Sequence, residues 1–247
     1  NVPFLWTDWE SAELIKYASN GFLAIKIAYI NQLACLAEEI GADIISIAKG
    51  MGMDGRIGPK FLHAGPGYGG SCFPKDTKAL SAIAHQFGVP ITIIDAVIEA
   101  NKEQKMRIVE RLKKRMPNIS GKTIGILGLA FKAETDDIRE SPAIDIVNEL
   151  LKLGAIVKVH DPQAMYNFKE KYGDKVSYCN NEYEASKDAD ALLILTEWNE
   201  YRSLDLSRIK SAMKSPYIFD TRNVLDRDEL DELGFNFDLI GQKTMEA

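Results

Sequence analysis

A glycine-rich segment of the chain ends in a cysteine, a residue type that can act as a nucleophile. The segment runs GPGYGGSCFPKD from Gly65 to Asp76. Closely spaced glycines let the backbone approach a ligand and aim amide N–H groups at it. A cysteine beside the expected start of a helix, three residues before Lys75, meets positive charge that favours its thiolate. Cys72 is therefore a candidate nucleophile, with the alternative that it is a small apolar residue, as free cysteines often are.

Helices would have to position this segment. Apolar residues recur at three- and four-residue spacing over residues 8–40, which predicts one long helix capped by Asp8 and ended by Gly41. Three further helices are expected at about residues 43–50, 75–87 and 91–116. The chain up to residue 116 therefore predicts an all-helical unit.

The pattern changes after Pro117. Short apolar segments now alternate with helical ones, which predicts a parallel sheet with right-handed crossovers. The expected strands are 122–128, 156–160, 191–195, 217–220 and one beginning at Leu239, and the expected helices are 141–153 and 182–187. The predicted fold class is thus α plus α/β, with an all-helical domain over residues 1–116 and a small doubly wound domain over residues 117–247.

Composition narrows the class of protein. The net charge is −6, and the basic residues are scattered, which argues against nucleic-acid binding. The three cysteines contain no CxxC pair and the three histidines do not cluster, so we expect neither disulfides nor a metal site, and a cytoplasmic location. The most apolar stretch, 21–36, is interrupted by polar residues, so no membrane span is expected. The N-terminus has no signal-peptide pattern, and its first residue, Asn1, is consistent with a fragment or a processed product.

The segment Gly65–Asp76 closely resembles the active-site loop of the UDP-glucose/GDP-mannose dehydrogenase family. Further segments resemble the same family in the same order, namely AELIKYASN from residue 12, RIGPKFL from 56, GLAFK from 128 with RES from 139, and FDTRNVL from 219. The resemblance spans nearly the whole chain. RIGPKFL and the FPKD ending are more similar to members that act on UDP-glucose than to those that act on GDP-mannose or N-acetyl-hexosamines.

The resemblance implies an NAD-dependent oxidation of UDP-glucose to UDP-glucuronate in two hydride transfers. Cys72 would bind the aldehyde as a thiohemiacetal and then hold the acid as a thioester. Lys16 and Asn20, four residues apart on one helix face, would stabilise the oxyanion, and Asp76 would help to activate water. Taken alone, Lys16 is more simply a solvated lysine and Asp76 a charge at a helix N-terminus, and the general base is left open.

The resemblance also assigns binding residues. Those expected to contact the sugar or the UDP group are Lys16, Asn20, Arg56, Gly65, Pro66, Gly67, Tyr68, Gly69, Phe131, Lys132 and Arg222. The amides of the glycine loop would line the sugar pocket, and Arg222 would reach the diphosphate. Cys72, Lys75 and Arg139 would lie at the NAD. Arg56 would enter the active site of a partner subunit, which implies a homodimer or a larger homo-oligomer. For each arginine alone, a surface ion pair is the alternative.

One feature of the family is missing from the sequence. Its NAD-binding domain carries a G-x-G-x-x-G loop, whereas the turn Gly125–Phe131 has the wrong spacing, with Phe131 in place of the third glycine. His160-Asp161 mimics the ribose-binding acid, but the resemblance makes this Rossmann-like domain the UDP-binding one. We therefore expect the chain by itself to lack most of the NAD site and to be inactive alone.

Two other classes of function stay open on the sequence. One is a non-catalytic module that dimerises and binds UDP, for which Cys72→Ala would have no effect. The other is a thiol hydrolase or acyltransferase, which needs a histidine beside Cys72. No motif connects His63 or His85 to the cysteine.

Overall fold

Four helices make up the first half of the chain in the computed structural model, which describes residues 3–243. The first, α1, spans Trp9–Ile40; Asp8 caps it by accepting from Ser11 N at 2.6 Å, and Gly41 ends it in the left-handed conformation. The others are α2 (Ile44–Gly52), α3 (Phe73–Gln86) and α4 (Thr92–Arg115). The glycine-rich segment runs between α2 and α3, as predicted.

The second half contains a six-stranded parallel sheet. Its strands are β1 (Thr123–Leu127), β2 (Ile156–His160), β3 (Ser177–Tyr178), β4 (Ala191–Ile194), β5 (Tyr217–Asp220) and β6 (Asn236–Leu239). They lie in the order β3-β2-β1-β4-β5-β6, the order of dinucleotide-binding folds, which confirms the predicted fold class. Leu127 pairs with both His160 and Ile194, so the carboxyl ends of the central strands form one edge.

Six helices connect these strands. They are α5 (Pro142–Lys152), α6 (Met165–Tyr172), α7 (Glu182–Ser186), α8 (Asn199–Arg202), α9 (Leu206–Ala212) and α10 (Arg227–Glu232). The sequence predicted α5, with Pro142 in its first turn, and α7. Among the helices of eight residues or fewer, α7 was predicted but α6, α8, α9 and α10 were missed, as was the two-residue β3, because so few residues give only a weak periodic signal.

One apolar core joins the two halves. Ile30 on α1 and Leu112 on α4 belong to the same buried cluster as the sheet residues. Ion pairs join the halves as well, since Arg111 on α4 contacts Glu38 on α1 and lies 3.1 Å from Asp238 on β6. The domain boundary after residue 116 stays a prediction, because side chains from both sides of it fill a common core.

Membrane-spanning helices and clusters of metal ligands are both absent from residues 3–243. No helix there combines the length and the apolar composition that crossing a membrane would require. Nor do three histidine, cysteine, aspartate or glutamate side chains of that range come together as metal ligands would. In α1, the longest helix described, buried Asn20 and Asn31 interrupt the apolar face, and both make hydrogen bonds at the glycine-rich segment or at α3.

Candidate active site

Cys72 stands at the N-terminal cap of α3 with its side chain exposed. Its Sγ lies 3.8 Å from Ser71 Oγ. Cys35 is half-buried and Cys179 is buried, and burial raises the pKa of both thiols. Of the three cysteines, Cys72 is therefore the one that an incoming electrophile can reach at the surface.

A buried carboxylate lies one turn further along α3. Asp76 is only 1% exposed, and its Oδ2 accepts from Asn20 Nδ2 at 2.5 Å. Lys75 Nζ donates to its Oδ1 at 2.5 Å, and Lys16 Nζ lies 3.7 Å from its Oδ2. The pairing of α1 with α3 thus brings together Lys16, Asn20 and Asp76, next to the helix cap that carries Cys72.

The charge state of Asp76 follows from these contacts. Burial by itself would raise its pKa, but hydrogen bonds from Lys75 and Asn20 and the charge of Lys16 outweigh burial and hold the pKa below its usual value. The two lysine side chains are 62% and 69% exposed, so their ammonium groups can also reach a ligand. The cluster therefore combines a charged carboxylate, which can accept a proton, with donors for an oxyanion.

The glycine loop is fixed by side chains of α1 and α4. Asn31 Oδ1 accepts from Gly65 N at 2.8 Å, and Gln104 Nε2 donates to Gly65 O at 2.8 Å. Asn101 binds both the N–H and the carbonyl of Tyr68. Two amides that the resemblance placed at the sugar are thus already hydrogen-bonded within the protein. A sugar bound here would therefore pack against this part of the loop and would not accept hydrogen bonds from those two N–H groups.

At two positions of the glycine loop, neighbouring atoms approach the backbone so closely that only glycine fits. A Cβ on Gly69 would collide with the carbonyl oxygen of Glu140, and one on Gly70 would lie 2.7 Å from the ring of Phe131. Gly70 also has a φ of 82° and donates to Arg139 O at 2.8 Å. The loop is therefore pressed against the segments that follow β1 and precede α5.

Arg222 occupies the carboxyl edge of the sheet. Its Nε donates to Leu195 O at 2.8 Å and lies 3.1 Å from Glu197 Oε2, and its NH1 lies close to Gly65. Buried Asp220 accepts from the N–H of Arg222 and holds this turn. The guanidinium thus lies between the loop and the switch point of the sheet, where ligands of this fold class bind. Glu197 was not among the predicted site residues, although a charged residue soon after a buried strand is a signal for this edge of the sheet.

Other predicted binding residues lie on the surface of the chain. Arg56 pairs with Asp54, and Arg139 pairs with Asp137 at 2.7 Å, each with an acid two residues earlier. Both arginines thus form surface ion pairs, and their binding roles stay predictions. Lys132 Nζ lies 5.6 Å from the ring centre of Phe131, beside the same sheet edge as Arg222.

The turn after β1 is occupied by the chain's own carboxylate. Asp161 Oδ2 accepts from Leu129 N at 2.7 Å, Ala130 N at 3.0 Å and Trp198 Nε1 at 3.1 Å. In a dinucleotide-binding domain such amides hold the pyrophosphate. This turn therefore does not fit NAD. Lys75 and Arg139, which the resemblance placed at the nicotinamide and at the phosphates of NAD, are exposed cations that pair with Asp76 and Asp137, and their contacts with NAD stay predictions.

Two models of one protein family match consecutive regions of this chain. The family model described as UDP-glucose/GDP-mannose dehydrogenase family, central domain, matches residues 10–103, and the model of the same family's UDP binding domain matches residues 125–227. The chain is 47% identical to UDP-glucose 6-dehydrogenase TuaD of Bacillus subtilis over 98% of its own length and 52% of that protein. The chain thus spans about half the length of such relatives.

Solved structures show the same fold. A UDP-glucose dehydrogenase from Pyrobaculum islandicum aligns with a TM-score of 0.85 and 38% identity over 91% of this chain and 50% of that one. An NDP-N-acetyl-D-galactosaminuronic acid dehydrogenase from Methanosarcina mazei aligns with a TM-score of 0.82 and 30% identity over 94% and 51%. Two models of one family together cover most of the chain, so the chain belongs to the UDP-glucose/GDP-mannose dehydrogenase family, with its central and UDP-binding regions.

Proposed function

We propose that this chain is the catalytic and UDP-binding part of an NAD-dependent UDP-glucose 6-dehydrogenase, which forms UDP-glucuronate. One observation carries the proposal: an accessible thiol, Cys72, stands beside a buried charged carboxylate, Asp76, that is surrounded by Lys16, Asn20 and Lys75. Identity of 47% with a UDP-glucose 6-dehydrogenase supports this substrate over GDP-mannose.

In the proposed reaction the thiol acts after the first oxidation. Bound NAD supplies the hydride acceptor for each of the two oxidations. The Cys72 thiolate adds to the aldehyde carbon, and the carbonyl oxygen becomes an oxyanion. Lys16 Nζ and the second hydrogen of Asn20 Nδ2 donate to that oxygen while Asn20 keeps its bond to Asp76. Each donor aimed at such an oxyanion typically lowers the barrier by about 3 kcal/mol.

Hydrolysis then releases the acid. The oxyanion expels the second hydride and leaves a thioester on Cys72. Water attacks the thioester carbon, Asp76 takes the proton of that water, and the carbon–sulfur bond breaks to return the thiolate. Asp76 is charged at neutral pH and can accept this proton, although the contacts that lower its pKa also make it a weaker base than an ordinary carboxylate.

Two different parts of the chain would bind the two ligands: the sheet edge would bind the UDP group, and surface cations would contact NAD. Arg222, Phe131 and Lys132 take the UDP group at the carboxyl edge, because the switch point lies there. Lys75, which pairs with Asp76, would lie near the nicotinamide of NAD, and Arg139 would meet its phosphates. The turn after β1 is filled by Asp161, so we propose that the rest of the dinucleotide is held by residues outside 3–243.

Assembly as a homodimer in the cytoplasm completes the proposal. Ile15, Phe22, Tyr29 and Leu36 on α1 are exposed and recur every seven residues. The same spacing predicted a helix, and such a stripe is typical of helix–helix interfaces. A partner packed along α1 would let Arg56 reach a second active site.

The test is turnover by the polypeptide that the proposal implies, one that carries this chain together with the further NAD-binding residues; it is called the longer polypeptide below. UDP-glucose is mixed with NAD, and the absorbance of NADH is followed beside the release of UDP-glucuronate. We expect two NADH per sugar and no free aldehyde, with GDP-mannose and UDP-N-acetyl-hexosamines as control substrates. Turnover of a control substrate in preference to UDP-glucose would contradict the substrate, and binding of UDP without any NADH would favour a non-catalytic module.

A further inference from the structure

A buried lysine lies behind the glycine loop. The Lys105 side chain, on α4, is only 7% exposed. Its Nζ lies 2.7 Å from Asp145 Oδ2 and donates to Glu140 O at 3.3 Å. A buried ammonium is costly unless such partners compensate it. Lys105 therefore joins α4 firmly to the start of α5.

Lys105 holds residues 139–141, which pack directly against the glycine loop and are called its wall below. Gly70 N donates to Arg139 O at 2.8 Å, and Gly69 lies so close to Glu140 O that no side chain fits. From α3, Lys78 pairs with the Glu140 carboxylate at 3.1 Å. Movement of residues 139–141 would thus move the two glycines that precede Ser71 and Cys72.

The stem of Lys105 contacts the loop directly. A Cβ added to Gly67, whose φ is 114°, would lie 3.2 Å from Lys105 Cγ. One side chain therefore packs against the loop and holds its wall. Between α3, α4 and residues 140–145 there is a pocket of about 340 Å³ instead of close packing, so the wall has room to relax there if the ion pair is lost.

We infer that Lys105 is a positioning residue: it fixes residues 139–141 to α4 and thereby sets the position of the Cys72 sulfur. It acts through the loop and does not contact substrate. The same segment carries Arg139, so Lys105 also aligns that cofactor-facing cation with the loop. The inference rests on the proposed role of Cys72.

Hydrogen–deuterium exchange of this chain tests the positioning. The variants are Lys105→Met, Lys105→Arg and the control Lys102→Met, three residues earlier on α4 beside the same pocket but 74% exposed and paired with Glu99. We expect Lys105→Met to speed exchange at least about tenfold in peptides covering residues 65–72 and 139–141, with β1, β4 and β5 unchanged. Lys105→Arg should keep most of the protection, and Lys102→Met should match the unmodified chain. Unchanged exchange in both segments of Lys105→Met would overturn the inference.

Kinetics of the longer polypeptide give a second readout. A displaced nucleophile should lower kcat about tenfold or more while the KM for UDP-glucose changes less than about threefold. A merely structural lysine would lower the melting temperature and leave kcat intact at temperatures well below it, which would contradict the inference. If Lys105→Met does not fold, Asp145→Asn removes the charge of the partner and should show the same changes in smaller size. Failure of the unmodified enzyme to oxidise UDP-glucose would reject the proposed function, while the exchange result still decides the role of Lys105.

Discussion

Two buried aspartates of this molecule are surrounded in different ways. Asp76, 1% exposed, is held by three side chains, two of which are lysines that extend into solvent. Asp161, 2% exposed, is held by the backbone amides of residues 129, 130, 163 and 164 and by the buried indole of Trp198. Lysine side chains can turn to a ligand, whereas amides in a turn cannot. Equal burial therefore accompanies a proposed reactive group at Asp76 and a structural group at Asp161.

The glycine turns beside these acids differ in the same way. Gly70 and Gly128 both have positive φ. The turn at Gly70 leads to the exposed Cys72, whereas the amides that follow Gly128 already bind Asp161. The amides after Gly128 are thus taken by the chain's own anion and the amide of Gly70 by Arg139 O, so what distinguishes the turn at Gly70 is the exposed thiol that follows it.

The largest expected effect is that of Cys72→Ala. In the longer polypeptide, kcat for formation of UDP-glucuronate should fall by roughly 10³-fold or more, because no thioester can form. The melting temperature should hardly change, since the side chain is exposed. NADH absorbance and calorimetry measure the two, with Cys35→Ala as the control that keeps turnover. Near-normal kcat in Cys72→Ala would show that the site formed by Cys72 and Asp76 is not the reactive one.

Asp76→Asn should impair hydrolysis more than it impairs stability. Loss of the proton acceptor should slow release of the acid by about 10²-fold, so that an adduct accumulates on Cys72. Intact-mass spectrometry after mixing with UDP-glucose and NAD detects that adduct. Normal turnover without an adduct would show that Asp76 takes no part in the hydrolysis.

Asp161→Asn should mainly reduce stability, in contrast to Asp76→Asn, which should mainly slow hydrolysis. The amide group cannot accept from all the donors that the carboxylate satisfies, so the free energy of unfolding should fall by about 2–4 kcal/mol. Urea denaturation measures this loss beside Asp76→Asn. If Asp76→Asn proved the less stable of the two, the division between a reactive and a structural acid would be wrong.

Arg222→Lys tests the UDP site with a smaller effect. Lysine keeps the charge but not the fork that binds Leu195 O beside Glu197, so the affinity for UDP should fall by about tenfold. Titration calorimetry of the chain with UDP measures this change. Lys214→Met, on the exposed far side of β4, should leave the affinity unaltered, and equal weakening by both variants would point to charge alone.

The pH dependence of stability gives the smallest effect. The pKa of Asp76 is lower in the folded chain than in the unfolded one, so folded protein binds fewer protons and the stabilisation is present above the ordinary pKa of 3.8. It is lost as the pH falls through the folded pKa. Asp76→Asn should therefore flatten the stability profile below about pH 3.8 and leave its slope between pH 5 and 7 unchanged, as measured by urea denaturation. A changed slope in the neutral range would contradict this sign.

Local signals predicted much of the fold and part of the site. Asp8, Gly41 and Pro142 act on their own helix ends, so their effects are readable without tertiary contacts. Cys72 was found because its loop is one continuous segment. Glu197 and Lys105 were missed because each depends on a partner at least 25 residues away in the chain, such as Arg222 or Asp145.

The sequence by itself determined the helical first half, the parallel sheet and the loop that ends in Cys72, because periodicity, capping and glycine content are local properties. Only the tertiary structure decided which buried acid is surrounded by exposed lysine side chains and which by backbone amides. Asp76 follows the glycine loop and Asp161 follows strand β2, and neither local sequence reveals the donors that come from distant residues. The distant donors are Asn20 and Lys16 on α1 for Asp76, and the turn after β1 together with Trp198 for Asp161. The mobility of the first set and the rigidity of the second underlie the roles that we propose for the two acids.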